Sequence, residues 1–298
     1  MTLMVTGASG FVGRHLQRTI ACEPLEGGGP PVELRDYARV KEAVARVGPT
    51  RVIHLAAQSF VPASFEQPLE TFAVNFTGTY HLLQALAESG FTGRLLYVGS
   101  GDMYGRVPPE RLPIAEEEPL RPRSPYAVSK VAGEALCYQW SQTGPFEIVM
   151  TRSFNHIGPG QARRFAVSDF AAQVAEIRRG RREPVLRVGD IDVTRDFSDV
   201  RDVVRAYLLL LEHGGNGEVY NVCSGIERTL RDILGALLAL AGVEARIAVE
   251  PERRRPNEQR RLCGSNARLR RDTPWRPAVA WETTLSDLLT DWEERLNG

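Results

Sequence analysis

The sequence predicts an α/β fold, a doubly wound parallel sheet followed by a smaller C-terminal α/β lobe. Three observations predict it. Short apolar runs alternate with stretches whose apolar residues recur at helical spacing. The first run, LMVT, leads straight into a glycine-rich turn, TGASGFVG, and then into a helix-forming stretch. Beyond residue 160 the alternation changes character, and Arg and Pro concentrate in the final third.

The elements follow in order. LMVT (3–6), RVIHLA (51–56), RLLYVG (94–99) and FEIVMTR (146–152) read as strands buried on both faces. Between them GRHLQRTIA (13–21), LETFAVNFTGTYHLLQALAES (69–89) and YAVSKVAGEALCYQW (126–140) read as helices. Such repetition implies a parallel sheet covered on both sides, with its ligand crevice at the carboxyl ends of the strands. A helix (166–180), a strand (185–188), a helix (200–213), a strand (218–222), a helix (229–241) and a last helix (283–296) complete the chain. GGGPP (27–31) is a turn. The expected division is a first unit of residues 1–160, to which 190–225 return, and a second lobe of 161–189 and 226–298.

Composition excludes several function classes. A chain of 298 residues, 43% hydrophobic and 25% charged, is long enough for a large core and ordinary for a globular protein. Thirty-seven basic residues balance thirty-seven acidic ones, which argues against a nucleic-acid partner. No apolar run is long enough to cross a bilayer, and the N-terminus enters a strand with no room for a signal peptide. A cytoplasmic protein with no membrane partner is expected. Cys22, Cys137, Cys223 and Cys263 are far apart and form no CxxC, so neither a metal site nor a disulfide framework is expected. The basic runs RRGRRE (178–183) and ERRR (252–255) read as solvated faces. There are only two lysines, Lys41 and Lys130, in a chain that otherwise uses Arg, so each invites a chemical reason.

The turn TGASGFVG spaces its glycines as Gly7, Gly10 and Gly13, with Phe11 and Val12 between the last two. A strand before it and a helix after it are the context of a dinucleotide fingerprint. Gly7 allows the tight turn, Gly10 the approach of a pyrophosphate, and Gly13 close packing of the helix, whose N-terminus offers free amides to the phosphates. SPYAVSK places Tyr126 and Lys130 one helical turn apart on one face. A tyrosine ionises near ~10, and a neighbouring ammonium lowers that value toward the range of a working acid or base.

The GxxGxxG spacing together with Tyr-x-x-x-Lys resembles the short-chain dehydrogenase/reductase superfamily, which implies a Rossmann-like fold and NAD or NADP as cofactor. The resemblance makes Ser100, at the end of RLLYVGS, the hydroxyl that binds the reacting oxygen beside Tyr126 and Lys130. It assigns Leu55, Ala56, Ala57 and Gln58 of HLAAQ to the cofactor diphosphate and ribose, Asp36 to the adenine, and Asn75 to support of the active site. In one respect the chain departs from the pattern. About twenty residues separate Gly13 from VELRD, where extended members place a full strand and helix, so the stretch that usually chooses between NAD and NADP is compressed.

RSFNHIGPGQ (152–161), GDIDVTRDFSDVRD (189–202), YNVCSG (220–225) and RRPNEQRRLCGS (254–265) are similar to the extended branch that acts on nucleotide sugars, nearest to enzymes of GDP-mannose metabolism. That similarity implies contacts from Asn155, Arg195 and Arg255 to the substrate diphosphate and from Glu258 to ribose. Arg suits a bidentate phosphate clamp better than Lys.

Dehydratases of this branch carry S-T-D-E-x-Y-G or S-T-S-E-x-Y-G where this chain has GSGDMYG (99–105). Aligned on Tyr104-Gly105, Ser100 falls at the Thr, Gly101 at the elimination acid, and Asp102 at the Glu base. Gly101 has no proton to give, and Asp102 is one methylene short of the base, a displacement that matters at an active site. The motifs resemble instead the GDP-6-deoxy-D-mannose reductase family. That implies reduction of the C4 ketone of GDP-4-dehydro-6-deoxy-D-mannose with NADH or NADPH to GDP-D-rhamnose, a precursor of bacterial surface polysaccharide. Asp102 then orients the sugar. A dehydratase or epimerase on the same scaffold is the nearest alternative. A non-catalytic cofactor sensor is the alternative of a different class, and it predicts loss of Ser100, Tyr126 or Lys130, all of which are present. Helices 69–89 and 126–140 are apolar on more than one face, from which a homodimer is expected.

Overall fold

A computed structural model describes residues 2–253 and 259–297. Its centre is a six-stranded parallel sheet made of β1 (Leu3–Thr6), β2 (Glu23–Pro24), β3 (Arg51–His54), β4 (Arg94–Ser100), β5 (Glu147–Ser153) and, later in the chain, β9 (Val219–Val222). In space the order is β2-β1-β3-β4-β5-β9, so the direction of winding reverses beside β1. The glycine turn that follows β1 therefore opens onto a topological switch point, where such sheets bind ligands.

Helices cover both faces. On one side lie α1 (Phe11–Thr19) and α8 (Val200–His213), whose apolar residues join Leu3, Val5, Ile53, Leu96 and Val149 in one core. On the other lie α2 (Tyr37–Val47), α5 (Gly78–Glu88) and α6 (Pro125–Thr143), packed over Met4, Val52, Leu95, Ile148 and Met150. Two short helices, α3 (Val61–Glu66) and α4 (Pro68–Phe72), lead into α5. The helix expected over 69–89 is interrupted. Residues Ala73–Thr77 form a π turn, a local widening often found at functional sites, and it contains Asn75. The compressed second unit keeps only the two-residue β2 before α2, a helix that starts at Asp36.

The second lobe has its own core beneath α7 (Ala166–Arg178), α9 (Leu230–Ala241) and α11 (Trp281–Arg295). It holds two small sheets. In one, β6 (Asn155–Ile157) runs parallel to β8 (Thr194–Asp199), and β10 (Glu227–Thr229) runs antiparallel on the other side of β8. In the other, β7 (Val185–Val188) pairs with β11 (Arg246–Val249). Residues 190–225 thus return to the first unit only through α8 and β9, while β8 stays with the small sheet. Beyond that, α10 (Ala267–Asp272) contributes Leu269, and the segment after it Trp275, to the first core rather than the second. Among the described residues no helix is long and apolar enough to cross a membrane.

Candidate active site

The fingerprint turn is shaped for close approach. Gly7 has φ +70°, and a Cβ there would stand 2.8 Å from the amide nitrogen of Ala56. A Cβ on Gly13 would stand 2.5 Å from the carbonyl oxygens of Gly7 and Ala8, so this glycine lets the first turn of α1 close onto the loop before it. Gly10 is the N-cap of α1 and carries no capping side chain, which leaves the end of the helix open to a ligand. Phe11 stacks at 6.0 Å on His156 of β6, tying the turn to the second lobe. A cradle whose glycines meet main chain, at a helix N-terminus and a switch point, fits the diphosphate of a dinucleotide.

A buried polar chain holds the opposite wall. The ring of His54 spans Thr6 Oγ1 at 2.7 Å and Thr79 Oγ1 at 2.9 Å. Thr79 donates to the carbonyl of Asn75, and the amide of Ala56 donates to Thr6 Oγ1. His54 therefore donates from Nε2 and accepts at Nδ1, and burial drives its pKa down to about 3, so the ring is neutral. Asn75 is 1% exposed. It accepts from the amide of Gln58 at 2.8 Å and donates to the carbonyl of Gln58 and to Ser129 Oγ. Leu55, Ala56, Ala57 and Gln58 are thereby fixed between the fingerprint turn and α6. Asp36 is exposed and caps α2 by accepting from the amide of Arg39 at 3.2 Å.

The SPYAVSK stretch places the next two residues. Ser124 caps α6 by accepting from the amide of Ala127 at 3.1 Å, and Pro125 occupies the first turn, where its missing N–H is no loss. Tyr126, Ser129, Lys130 and Glu134 then share the buried face of α6. Tyr126 lies near enough to Ser100 for that hydroxyl to influence its pKa, and Ser100 ends β4 and caps the 3-10 turn Gly101–Tyr104 by accepting from the amide of Asp102 at 3.2 Å. Burial raises the pKa of Tyr126 well above the ordinary phenol value, the charge of Asp102 pushes the same way, and the nearby Ser100 hydroxyl only partly opposes them.

Lys130 departs from the sequence expectation. Its Nζ donates to the main-chain carbonyl of Val98 at 2.8 Å and lies 5.2 Å from the centre of the Tyr97 ring. The ammonium is thus bonded to the main chain of β4, and it is absent from the influences that set the Tyr126 pKa. Desolvation brings Lys130 itself down to about 8. The stretch VAGEA explains how α6 comes so near: a Cβ on Gly133 would stand 2.3 Å from Tyr97 Oη.

At Gly101 a Cβ would stand 3.2 Å from the ring of Phe154, a contact that a side chain could make only if the ring gave way by a few tenths of an ångström. Asp102 is exposed at the mouth of the turn. Asn155, opposite Phe197 in the β6–β8 ladder, and Arg195, two residues earlier on β8, share one face of the small sheet. The Arg195 Nη1 donates to the carbonyl of Thr194. Arg255 and Glu258 lie outside the described residues.

Sequence reasoning missed the residues that brace these groups. Arg152 and Glu134 form a buried bidentate pair at 2.9 and 2.7 Å, and Arg152 also donates to Tyr104 Oη and to the carbonyl of Glu116, both at 2.9 Å. Tyr104 donates to Asn221 Oδ1 at 2.7 Å. Asp196, fully buried, accepts from the amides of Ser224, Gly225 and Gly264 and so joins β8 to both flanking loops. Alternation along β8 and the charged residues inside apolar RSF and RDF runs were the available signals. Among the described residues no group of three or more His, Cys, Asp or Glu side chains is placed to hold a metal ion, and the four cysteines are free thiols.

Residues 31–288 match the family described as GDP-mannose 4,6 dehydratase. The chain belongs to that family. Within it, the chain is 46% identical over 297 residues to GDP-6-deoxy-D-mannose reductase of Pseudomonas aeruginosa, covering 99% of this chain and 98% of the relative. It is 29% identical to dTDP-glucose 4,6-dehydratase of Streptomyces griseus, covering 93% of this chain and 89% of that one. Among solved structures, RMD from Pseudomonas aeruginosa complexed with NADPH superposes with a TM-score of 0.92 at 43% identity, covering 99% of this chain and all of the other. The NAD complex of UDP-glucose 4-epimerase from Thermus thermophilus gives 0.85 at 31% identity, covering 98% and 99%.

Proposed function

We propose that the protein is a GDP-6-deoxy-D-mannose reductase, which reduces the C4 ketone of GDP-4-dehydro-6-deoxy-D-mannose to GDP-D-rhamnose with NADPH or NADH. The observation that carries this reading over its dehydratase relatives is the contact between Phe154 and Gly101. Elimination of water needs a proton donor beside the sugar's C6 oxygen, and the position that would supply it is a glycine, where a Cβ would stand only 3.2 Å from the Phe154 ring. Reduction needs a hydroxyl and a proton donor at one ketone oxygen, and Ser100 and Tyr126 stand together. The reductase relative, 46% identical over nearly the whole chain, supports the same choice.

The bound nicotinamide supplies the hydride. Ser100 and Tyr126 hold the ketone oxygen by hydrogen bonds, and Tyr126 gives its proton to that oxygen as C4 becomes tetrahedral. A phenol kept protonated by burial and by the charge of Asp102 is in the right state for this direction, which consumes a proton. Asp102 thus serves Tyr126 as well as orienting the sugar. Gly7, Gly10, Phe11, Val12, Gly13, Ala56 and Gln58 receive the cofactor, with Leu55, Ala57, Asp36 and Asn75 as supports. Lys130 holds the floor of the site through Val98 and faces the cofactor ribose from there. Asn155, Arg195, Arg255 and Glu258 hold the GDP portion.

The protein works in the cytoplasm as a homodimer, and its product feeds surface polysaccharide such as lipopolysaccharide. Support for the dimer comes from Phe65, Leu69, Phe76, Tyr80 and Tyr138, large apolar side chains left exposed on the run from α3 to α5 and on α6. Sedimentation at the mass of one chain would remove the dimer. The test of function adds NADPH to purified protein with GDP-4-dehydro-6-deoxy-D-mannose, and with GDP-mannose in parallel, while nicotinamide absorbance and keto-sugar formation are followed. Oxidation of NADPH with the first substrate and no keto sugar from the second is expected. The reverse pattern would make the protein a dehydratase.

A further inference from the structure

In the small sheet, Arg228 of β10 sits directly opposite Arg195 of β8. Directly paired residues project from the same face, so two guanidinium-bearing side chains share one strip of sheet, the face that Asn155 also occupies. Like charges so placed repel. The Nη1 of Arg228 is buried and has no hydrogen-bond partner, although the guanidinium lies 4.2 Å from the centre of the Trp281 ring. Burial lowers the Arg228 pKa, and the nearby charges of Asp196 and Glu282 only offset part of that loss. Neither carboxylate satisfies Nη1. An unsatisfied buried donor beside a second guanidinium is stabilised by an anion with several acceptor oxygens.

We propose that Arg228 is a second guanidinium of the subsite for the substrate diphosphate, held on Trp281 and completed when the anion binds between it and Arg195. The inference rests on the nucleotide-sugar reading above and adds a residue that the sequence motifs did not indicate. It also accounts for Trp281. The stacked indole fixes the plane of the guanidinium, so little rotamer freedom is lost on binding.

The test compares wild type, Arg228→Met and Arg228→Lys for GDP affinity, NADPH affinity and thermal stability without ligand. Methionine keeps the apolar stem against Trp281 and removes the charge. The expected result is a GDP affinity reduced roughly tenfold to a hundredfold in Arg228→Met, the range for a hydrogen bond to a charged group. NADPH affinity should stay within about twofold, and the ligand-free melting temperature should match or exceed wild type. Arg228→Lys, which keeps the charge without the fork, should fall between the two for GDP. GDP bound equally by wild type and Arg228→Met overturns the proposal. So does a variant that loses GDP and NADPH binding together with melting temperature, which would mark Arg228 as a structural residue. Wild-type protein that binds NADPH but not GDP removes the nucleotide-sugar reading itself, and this proposal with it.

Discussion

Phe154 is wedged between two glycines. A Cβ on Gly101 would lie 3.2 Å from its Cγ and Cδ2, and a Cβ on Gly264 would lie 2.6 Å from its Cζ. The ring is 3% exposed and packed with Tyr104, Cys223 and Leu262, so it has little freedom to retreat from a side chain at position 101. Gly101→Ser should therefore destabilise the protein by about 1–3 kcal/mol, the usual range for overpacking, and should yield no keto sugar from GDP-mannose. Denaturant unfolding measures the first and product analysis the second. A variant as stable as wild type would show that Phe154 yields freely and does not determine what can occupy this position.

The approach of α6 to β4 makes a second prediction. With Tyr97 Oη in the place of any side chain at position 133, Gly133→Ala must push the helix away from the strand. Tyr97 is fully buried and cannot swing clear. Because Tyr126 is carried by the helix and Ser100 by the strand, the shift separates the two groups that hold the ketone. A fall in kcat of roughly tenfold to a hundredfold is expected with NADPH binding retained, since displacements of about an ångström carry such penalties. A Gly133→Ala enzyme with wild-type kcat would mean that the contact does not set the catalytic geometry.

Removing the proton donor makes the third. Tyr126→Phe should lower kcat by about 10²–10⁴, the range for general acid catalysis. Asp102→Asn tests what keeps Tyr126 protonated. Its charge raises the phenol pKa, so its loss should move the alkaline limb of kcat to lower pH while activity at acidic pH persists. A pH profile for Asp102→Asn that overlays wild type would confine Asp102 to contacts with the sugar.

Much of the frame was legible in sequence because both-face burial leaves a strong mark. LMVT, RVIHLA, RLLYVG and FEIVMTR fall on β1, β3, β4 and β5 with ends shifted by at most two residues, and the fingerprint turn opened at the switch point as its glycine spacing implied. The small sheet was not legible. Strands of three to six residues such as β6, β8 and β10 are too short and too polar to show a clear alternation, so they resemble loops. The π turn at Asn75 was invisible for a related reason, since one extra residue within a long apolar helix barely alters its period. The spacing of Tyr126 and Lys130 fixes a shared helix face but not the direction of a flexible four-carbon side chain, so its bond to the carbonyl of Val98 was not legible.

The Arg152–Glu134 pair supplies the fourth prediction. It couples β5 to α6, and its side chains are only 8% and 10% exposed. Arg152→Met would leave a buried carboxylate unpaired and remove the donor to Tyr104 Oη, so a loss of about 3–5 kcal/mol is expected. Arg152→Met with Glu134→Leu removes both charges and should recover a large part of that loss. A double variant no more stable than Arg152→Met alone would show that the hydrogen bonds to Tyr104 and Glu116, rather than the ion pair, carry the stability.

The buried Lys130 predicts a specific pH dependence of stability. Its pKa of about 8 in the folded protein lies below the ordinary 10.5. Below pH 8 both folded and unfolded chains hold the proton, and the folded state bears the full cost of burying the ammonium. Between about 8 and 10.5 the unfolded chain binds more protons than the folded one, so this group makes stability rise with pH. The buried thiols act in the opposite sense. Burial raises Cys137 and Cys223 above the ordinary thiol value and brings Cys263 to about 12, so these groups lower stability as pH rises past the unfolded thiol value. The contribution of Lys130 is therefore isolated by difference. Relative to Lys130→Met, wild type should gain about 2 kcal/mol between about pH 7.5 and 9.5, measured by urea unfolding at both values. Parallel stability curves for the two proteins over that interval would place the Lys130 pKa near its unfolded value, and with it an ammonium more solvated than its position under Val98 and Tyr97 implies.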